Sequence, residues 1–357
     1  EALDYFWNRY MSARPNTILV ICGSAAEWMI KKIISNKSGL HNRLTRPAIH
    51  LQPFNLHQTE KYLQELGIFL DRKQIIDLYM AVGGVAYYLN LIPKGQSSTE
   101  VISYLFFSKQ APLVQEFRNL FNSLYETPYR HLEVLKVMAK SRHGFSQSQL
   151  FQKLKTISSG GTAVGILEEL EHCGFITKIL DFGKKKKDAR YRLIDPYTLF
   201  YLKWMSSANE YPDLYWQRKK VSASYHAWSG YAFENICFMH YRQILKSLEL
   251  SVVAEVKSSW QHHVDQNMDD KGTQIDLIID RADRCINLCE IKFYEEPLII
   301  SKAYAEDLRY KKACFRRMTA TKKTLFLTLI SCYGLNSNSL HSNEIDSQVM
   351  MDDLFLA

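Results

Sequence analysis

Asp276, Glu290 and Lys292 are the residues of this chain whose types and spacing could do chemistry: an acid, thirteen residues, then Glu-x-Lys. They lie in two β-branched and aliphatic runs, 272–280 and 286–292, joined by the polar stretch Arg281-Ala282-Asp283-Arg284. That pattern predicts two strands of a hairpin. Side chains two apart on a strand share a face, so Glu290 and Lys292 point the same way, and Asp276 can sit beside Glu290 on the neighbouring strand. Two carboxylates and a lysine converging at a sheet edge make a hard-oxygen site for Mg²⁺ or Mn²⁺, with a cation poised over an attacking water. Gln274 shares a strand face with Asp276 and is placed to steady it from behind. The same residue types also occur as ordinary cross-strand surface pairs, so the elements around them carry much of the argument.

Residues 228–234, Trp-Ser-Gly-Tyr-Ala-Phe-Glu, open a helical pattern that runs through Leu245. A strand is expected over 251–256, then the hairpin, a basic helix over 301–318 and a further strand over 324–330. The acid, gap and Glu-x-Lys motif in this α-β-β-β-α-β order resembles the PD-(D/E)xK nuclease superfamily. The resemblance implies that Asp276 and Glu290 hold the metal, with the Ile291 carbonyl as an additional ligand. It also implies that Lys292 orients or activates water and that Glu234, on the first helix, joins the site. A nuclease-like fold that only binds its ligand is a second reading, because fold does not fix function.

The chain has 357 residues, a hydrophobic content of 46%, 21 Tyr and 18 Phe, enough for two or three domains with real cores. No run of eighteen apolar residues suggests a membrane span, and no signal-peptide pattern opens the sequence. Seven scattered cysteines read as reduced thiols of a cytoplasmic protein. The C-x₃-C spacing of Cys285 and Cys289 lacks the further ligands that zinc needs. The net charge is +8 and is unevenly placed: residues 181–220 hold ten Lys/Arg against five Asp/Glu, and 301–318 hold six against two. Clustered positive charge is the footprint of a polyanion partner. Lys184, Lys185, Lys186 and Lys187 in the first cluster, and Arg309, Lys312 and Arg316 in the second, are the candidate nucleic-acid contacts.

Toward the start, residues 2–11 read as a helix and 17–24 as a buried strand ending in Ser24. A helix over 25–35 follows, then Arg43, and later Gly83-Gly84-Val85-Ala86-Tyr87-Tyr88-Leu89. These features resemble the second half of an AAA+-type P-loop ATPase core, in the archaeal and bacterial family that carries a C-terminal nuclease-like domain. In that family Ser24 matches the polar sensor at the strand tip, and Arg43 matches the arginine that reaches a γ-phosphate, usually in a neighbouring subunit. The lid motif has Ala86 where the family has proline. No G-x-x-x-x-G-K-[ST] occurs, so the chain reads as a fragment without the nucleotide-gripping half. ATP then belongs to the intact parent protein only, with a homo-oligomer formed through the AAA+ part.

Between these ends, helices are expected over 131–140, 149–155 and 163–173, followed by strands over 175–179 and 189–193 around the basic tip at 184–187. Three helices and a hairpin make a winged helix, although Glu168, Glu169 and Glu171 give its third helix an acidic face that would repel DNA. The expected architecture is multidomain α/β: an AAA+ core remnant over 1–54, a helical lid over 55–125, a winged helix over 126–205 and a PD-(D/E)xK-like domain over 206–357. The expected function is Mg-dependent phosphodiester cleavage of nucleic acid. A non-catalytic ATP-switched binding module and a winged-helix DNA-binding regulator are the alternatives.

Overall fold

The computed structural model describes residues 5–14, 16–20, 49–158, 160–185, 188–205, 211–262, 271–336 and 338–357. They form a mixed α/β protein whose strands make one eight-stranded sheet. Ser24 and Arg43 lie outside the described residues, as do Lys186 and Lys187. Of the strand expected over 17–24, residues 21–24 lie outside the described residues; residues 17–20 carry no strand assignment, and Ile18 and Val20 are exposed. A strand needs a neighbour to satisfy its backbone, and none of the described strands pairs with this segment.

After a helical stretch ending at Trp7–Met11, Asn55 caps α1 (Leu56–Glu65) in a reciprocal box with Gln58. Asp71 caps α2 (Arg72–Val82), which is buried along most of its length. Gly83 ends α2 at φ +66°, a left-handed conformation that favours glycine. A Cβ on Gly84 would fall 1.8 Å from the Phe54 carbonyl oxygen, so the Gly-Gly pair is required by close backbone approach. Short helices α3 (Ala86–Asn90) and α4 (Ser98–Ile102), a π-helical turn (Ser103–Phe107) and α5 (Glu116–Leu124) complete this layer.

Next come α6 (Pro128–Met138), β1 (Phe145–Ser146), α7 (Gln147–Phe151) and α8 (Gly161–His172), then β2 (Ile176–Asp181) and β3 (Arg190–Leu193). β3 pairs antiparallel with both β1 and β2. Helices α9 (Pro196–Trp204), α10 (Tyr215–Lys220), α11 (Ala223–Met239) and α12 (Tyr241–Ser247) lead to the rest of the sheet. This comprises β4 (Ala254–His262), β5 (Thr273–Arg281), β6 (Cys285–Lys292), α13 (Lys302–Thr319), β7 (Thr324–Ser331) and β8 (Ser347–Val349). The strand order is β1-β3-β2-β4-β5-β6-β7-β8. β2 joins β4 in parallel through Leu180↔Ser258 and Asp181↔Ser259, so one sheet runs through the expected winged helix and the expected nuclease-like region.

Two sequence-based bounds are corrected. The helix expected to run through Leu245 is broken at His240, whose backbone is non-helical and whose buried ring serves two main-chain groups. The strand expected over 251–256 begins at Ala254. Residues 251–253 are a turn, with Val253 and Ala254 N–H donating to the Leu250 carbonyl and Val252 exposed. The β-branched Val252-Val253 pair gave a strand signal that turn geometry overrides.

The central sheet is covered on both faces, as alternation requires. Leu277, Ile279, Cys289 and Ile291 join the core that contains Phe233 and Ile236 of α11. Ile278, Ile286 and Leu288 join Leu308 and Phe315 of α13 on the other face. A partly buried ion network ties the helical layer to the loop after β6: Lys73 donates to Asp77 (2.9 Å) and Glu295 (3.1 Å), and Lys220 donates to Asp77 (3.0 Å). No helix among the described residues is long and apolar enough to cross a membrane.

Candidate active site

β5 and β6 pair antiparallel from Asp280↔Ile286 to Leu277↔Cys289. The next opposed positions, just beyond the end of this ladder, are Asp276 and Glu290. The Ile291 N–H, which has no β5 carbonyl to meet there, donates to Asp276 Oδ2 at 3.1 Å. Within one strand residue N–H and C=O point to the same side, so the Ile291 carbonyl also faces Asp276. Gln274 Nε2 donates to Asp276 Oδ1 at 2.8 Å, and this fixes the carboxylate from the second side. Sequence reasoning placed Gln274, Asp276 and Glu290 together, and the structure brings them together.

Glu290 is 4% exposed and Asp276 9%. Burial and the neighbouring charge of Glu290 push the Asp276 carboxyl up. Burial also acts against the Glu290 carboxylate, but Lys292 and Lys311 outweigh it and hold the group below its usual range. Lys292 Nζ lies 2.8 Å from Glu290 Oε1. Lys311 Nζ, from α13, donates to both Glu290 oxygens at 3.0 and 2.8 Å, and the Tyr304 hydroxyl donates to Oε1 at 3.3 Å. Lys292 is itself partly buried, which lowers its pKa, yet the attraction of Glu290 raises it overall. It is therefore a fixed cation rather than a proton acceptor.

Glu234 is 1% exposed on α11, across the sheet from α13. Its partners are arginines and not a metal-ligand cluster. Arg192 Nη2, on β3, donates to Oε2 at 3.2 Å, and Arg142, from the loop before β1, pairs with Oε1. Arg192 is also buried against the rings of Tyr231 (4.7 Å) and Phe238 (5.1 Å). Among the described residues no group of three or more His, Cys, Asp or Glu could hold a metal. Glu234, expected to join the site from the first helix, pairs here with Arg192 and Arg142. A crevice of about 10 Å³, room for about one water, is lined by His143, Arg190, Arg192, Gln274 and Asp276 among others.

Sequence reasoning missed Lys311, Tyr304, Arg142 and Arg192. For Lys311 and Tyr304 a signal existed. Tyr304, Leu308, Lys311 and Phe315 recur at helical spacing, and Leu308 and Phe315 are buried, so that face looks at the sheet. Arg142 and Arg192 come from distant segments and had no local signal. The expected backbone contacts Arg309 and Lys312 lie on another face, where Arg309 donates to Glu344 at 2.8 Å and Lys312 lies 3.6 Å from Asp346. Arg316 is exposed, as are Lys184 and Lys185 at the turn after β2. On α8 the expected repelling acids are engaged internally: Glu169 lies 2.8 Å from His131 Nε2, and Lys178 donates to Glu171 at 2.6 Å. The six cysteines among the described residues are free thiols, and Cys289 is pushed up by burial.

The oxygens here that could hold Mg²⁺ or Mn²⁺ are those of Asp276 and Glu290 with the Ile291 carbonyl. Such ions are commonly held by one or two carboxylates with water and phosphate filling the shell. Glu290 raises the cost of ionising Asp276, and a divalent cation would offset that cost. Comparisons with models of known protein families, with curated proteins and with solved structures find no match.

Proposed function

We propose that this chain carries a divalent-metal-dependent phosphodiesterase centre of PD-(D/E)xK type acting on nucleic acid. The observation that supports it is the pair Asp276–Glu290, buried side by side at the end of a strand ladder with Lys292 on the Glu290 strand. Asp276, Glu290 and the Ile291 carbonyl would hold Mg²⁺ or Mn²⁺, which would supply a water of lowered pKa and offset charge at the phosphoryl group. Gln274 orients Asp276. Lys292, charged throughout the neutral range, stabilises the negative charge that builds on the phosphoryl oxygens. Lys311 holds Glu290 ionised. Kinship to an AAA+ ATPase, ATP use and assembly into a homo-oligomer belong to the same proposal. They rest on the resemblances of Ser24, Arg43 and residues 83–89.

The assay is Mn²⁺-dependent cleavage of single-stranded DNA, double-stranded DNA and RNA, with and without EDTA, alongside calorimetric titration of Mn²⁺. Lys292→Ala is expected to lower cleavage by about a hundredfold or more while metal binding persists, because an ammonium is no metal ligand. Asp276→Asn is expected to lose both. Absence of cleavage by the wild type, or Lys292→Ala cutting as fast as the wild type, would replace this reading with a non-catalytic binding module. That second reading draws on the contacts at Glu290, whose two oxygens already have Lys292, Lys311 and Tyr304 as partners.

A further inference from the structure

The Glu234 cluster has one cation more than its charge requires. Arg192 is 4% exposed in its side chain, packed between two rings, and already neutralises Glu234. Arg142 meets the other Glu234 oxygen with a side chain that is 43% exposed. Arg142 and Arg192 thus share the one carboxylate Glu234, and Arg142 is the exposed member of the two. A closed structural network has no need of a surplus cation at its open side, whereas a site that takes an anion does.

The backbone that presents Arg142 is held firmly. Gly144 sits at φ +72°, and a Cβ there would lie 2.2 Å from the Tyr191 carbonyl oxygen on β3. Ser141 Oγ donates to the Gly144 carbonyl at 3.1 Å, and Phe145 pairs with Tyr191 in the sheet. The turn is thus pinned to β3 one residue from Arg192. His143, the next residue, lines a crevice with Arg192, Gln274 and Asp276, which places this turn beside the carboxylate pair.

We infer that Arg142 forms a phosphate-binding subsite, taking a backbone phosphate of a polynucleotide beside Asp276 and Glu290. The winged-helix side of the molecule therefore completes the site on the sheet. A guanidinium suits this role because its planar fork matches two phosphate oxygens. Glu234, still paired with Arg192, keeps a partner when Arg142 turns to the ligand. The inference rests on the nucleic-acid reading above, so its test is a binding measurement that needs no catalysis.

The probe is a short fluorescein-labelled oligothymidine, titrated by anisotropy in EDTA over a range of salt concentrations. Arg142→Ala is expected to weaken binding roughly tenfold or more, since a charged hydrogen bond is lost. It is also expected to make the slope of log K against log salt shallower by about 0.7, one phosphate contact on a single strand. Arg142→Lys is expected to keep the slope and recover only part of the affinity. Wild-type affinity and slope in Arg142→Ala, or no binding of oligothymidine by the wild type, overturns the inference. If Arg142→Ala melts early, Arg142→Lys decides: wild-type affinity overturns the subsite, and weaker affinity at an unchanged slope supports it. Arg142-dependent binding without Mn²⁺-dependent cleavage would sink only the catalytic reading. Cleavage with Arg142-independent binding would sink only the subsite.

Discussion

His240 shows how one side chain can hold two elements. The Leu56 N–H, at the start of α1, can only donate, so the His240 Nε2 that receives it at 2.9 Å carries no proton. The proton then sits on Nδ1, facing the Ile236 carbonyl at 2.9 Å. Burial lowers the His240 pKa from 6.5 to about 4. The neutral ring therefore stabilises the fold fully above about pH 6.5, and that contribution is lost as pH falls through 4, an effect of up to about 3 kcal/mol. Denaturant unfolding across this range is expected to show a steeper loss for the wild type than for His240→Gln, whose amide oxygen still accepts from Leu56. Equal losses in the two proteins would show that the imidazole is not the titrating group.

At the scale of elements, the hairpin of β2 and β3 is not a free wing. β2 pairs with β3 on one side and β4 on the other. Arg190 reinforces the junction by donating to Asp181 (2.5 Å) and Ser259 (3.1 Å), while Phe182 N–H donates to the Ser259 carbonyl (2.8 Å). A wing that moves independently onto DNA would have to break this sheet. The turn before β1 is equally fixed, and Gly144→Ala tests it. Positive φ and the clash with Tyr191 are expected to destabilise the protein by more than about 1 kcal/mol. Oligothymidine affinity should fall with it, because Arg142 is displaced. Unchanged stability would mean that the turn is softer than its contacts indicate.

At the scale of the molecule, one hydrophobic cluster runs from Leu56 to Phe355 and includes residues from the helical layer, the hairpin region and the central sheet. The Lys73–Asp77–Lys220–Glu295 network and the Arg72–Asp352 ion pair (3.0 Å) cross the same junctions. A chain whose parts share a core is expected to unfold in one transition. Calorimetry should give a single peak with equal calorimetric and van't Hoff enthalpies. Two resolved peaks, the first removing helix signal while the sheet persists, would show that the helical layer folds on its own.

The sequence by itself determined what depends on neighbours along the chain. The alternation of β5 and β6, the short polar turn between them and the two-residue spacing of Glu290 and Lys292 set the carboxylate pair before any contact was known. The basic helix α13 and the strand β7 were legible for the same reason, since period and β-branched content are local. Tertiary structure decided what those signals cannot carry. It put Lys311 rather than Arg309 or Lys312 at the site, because the helix face toward the sheet is chosen by where Leu308 and Phe315 bury. It set Glu234 against Arg142 and Arg192, which lie at least forty residues away in sequence. It also joined β2 to β4, a parallel pairing between strands far apart in the chain. Such contacts follow from which surfaces can be buried together, and that is a property of the whole chain rather than of any window within it.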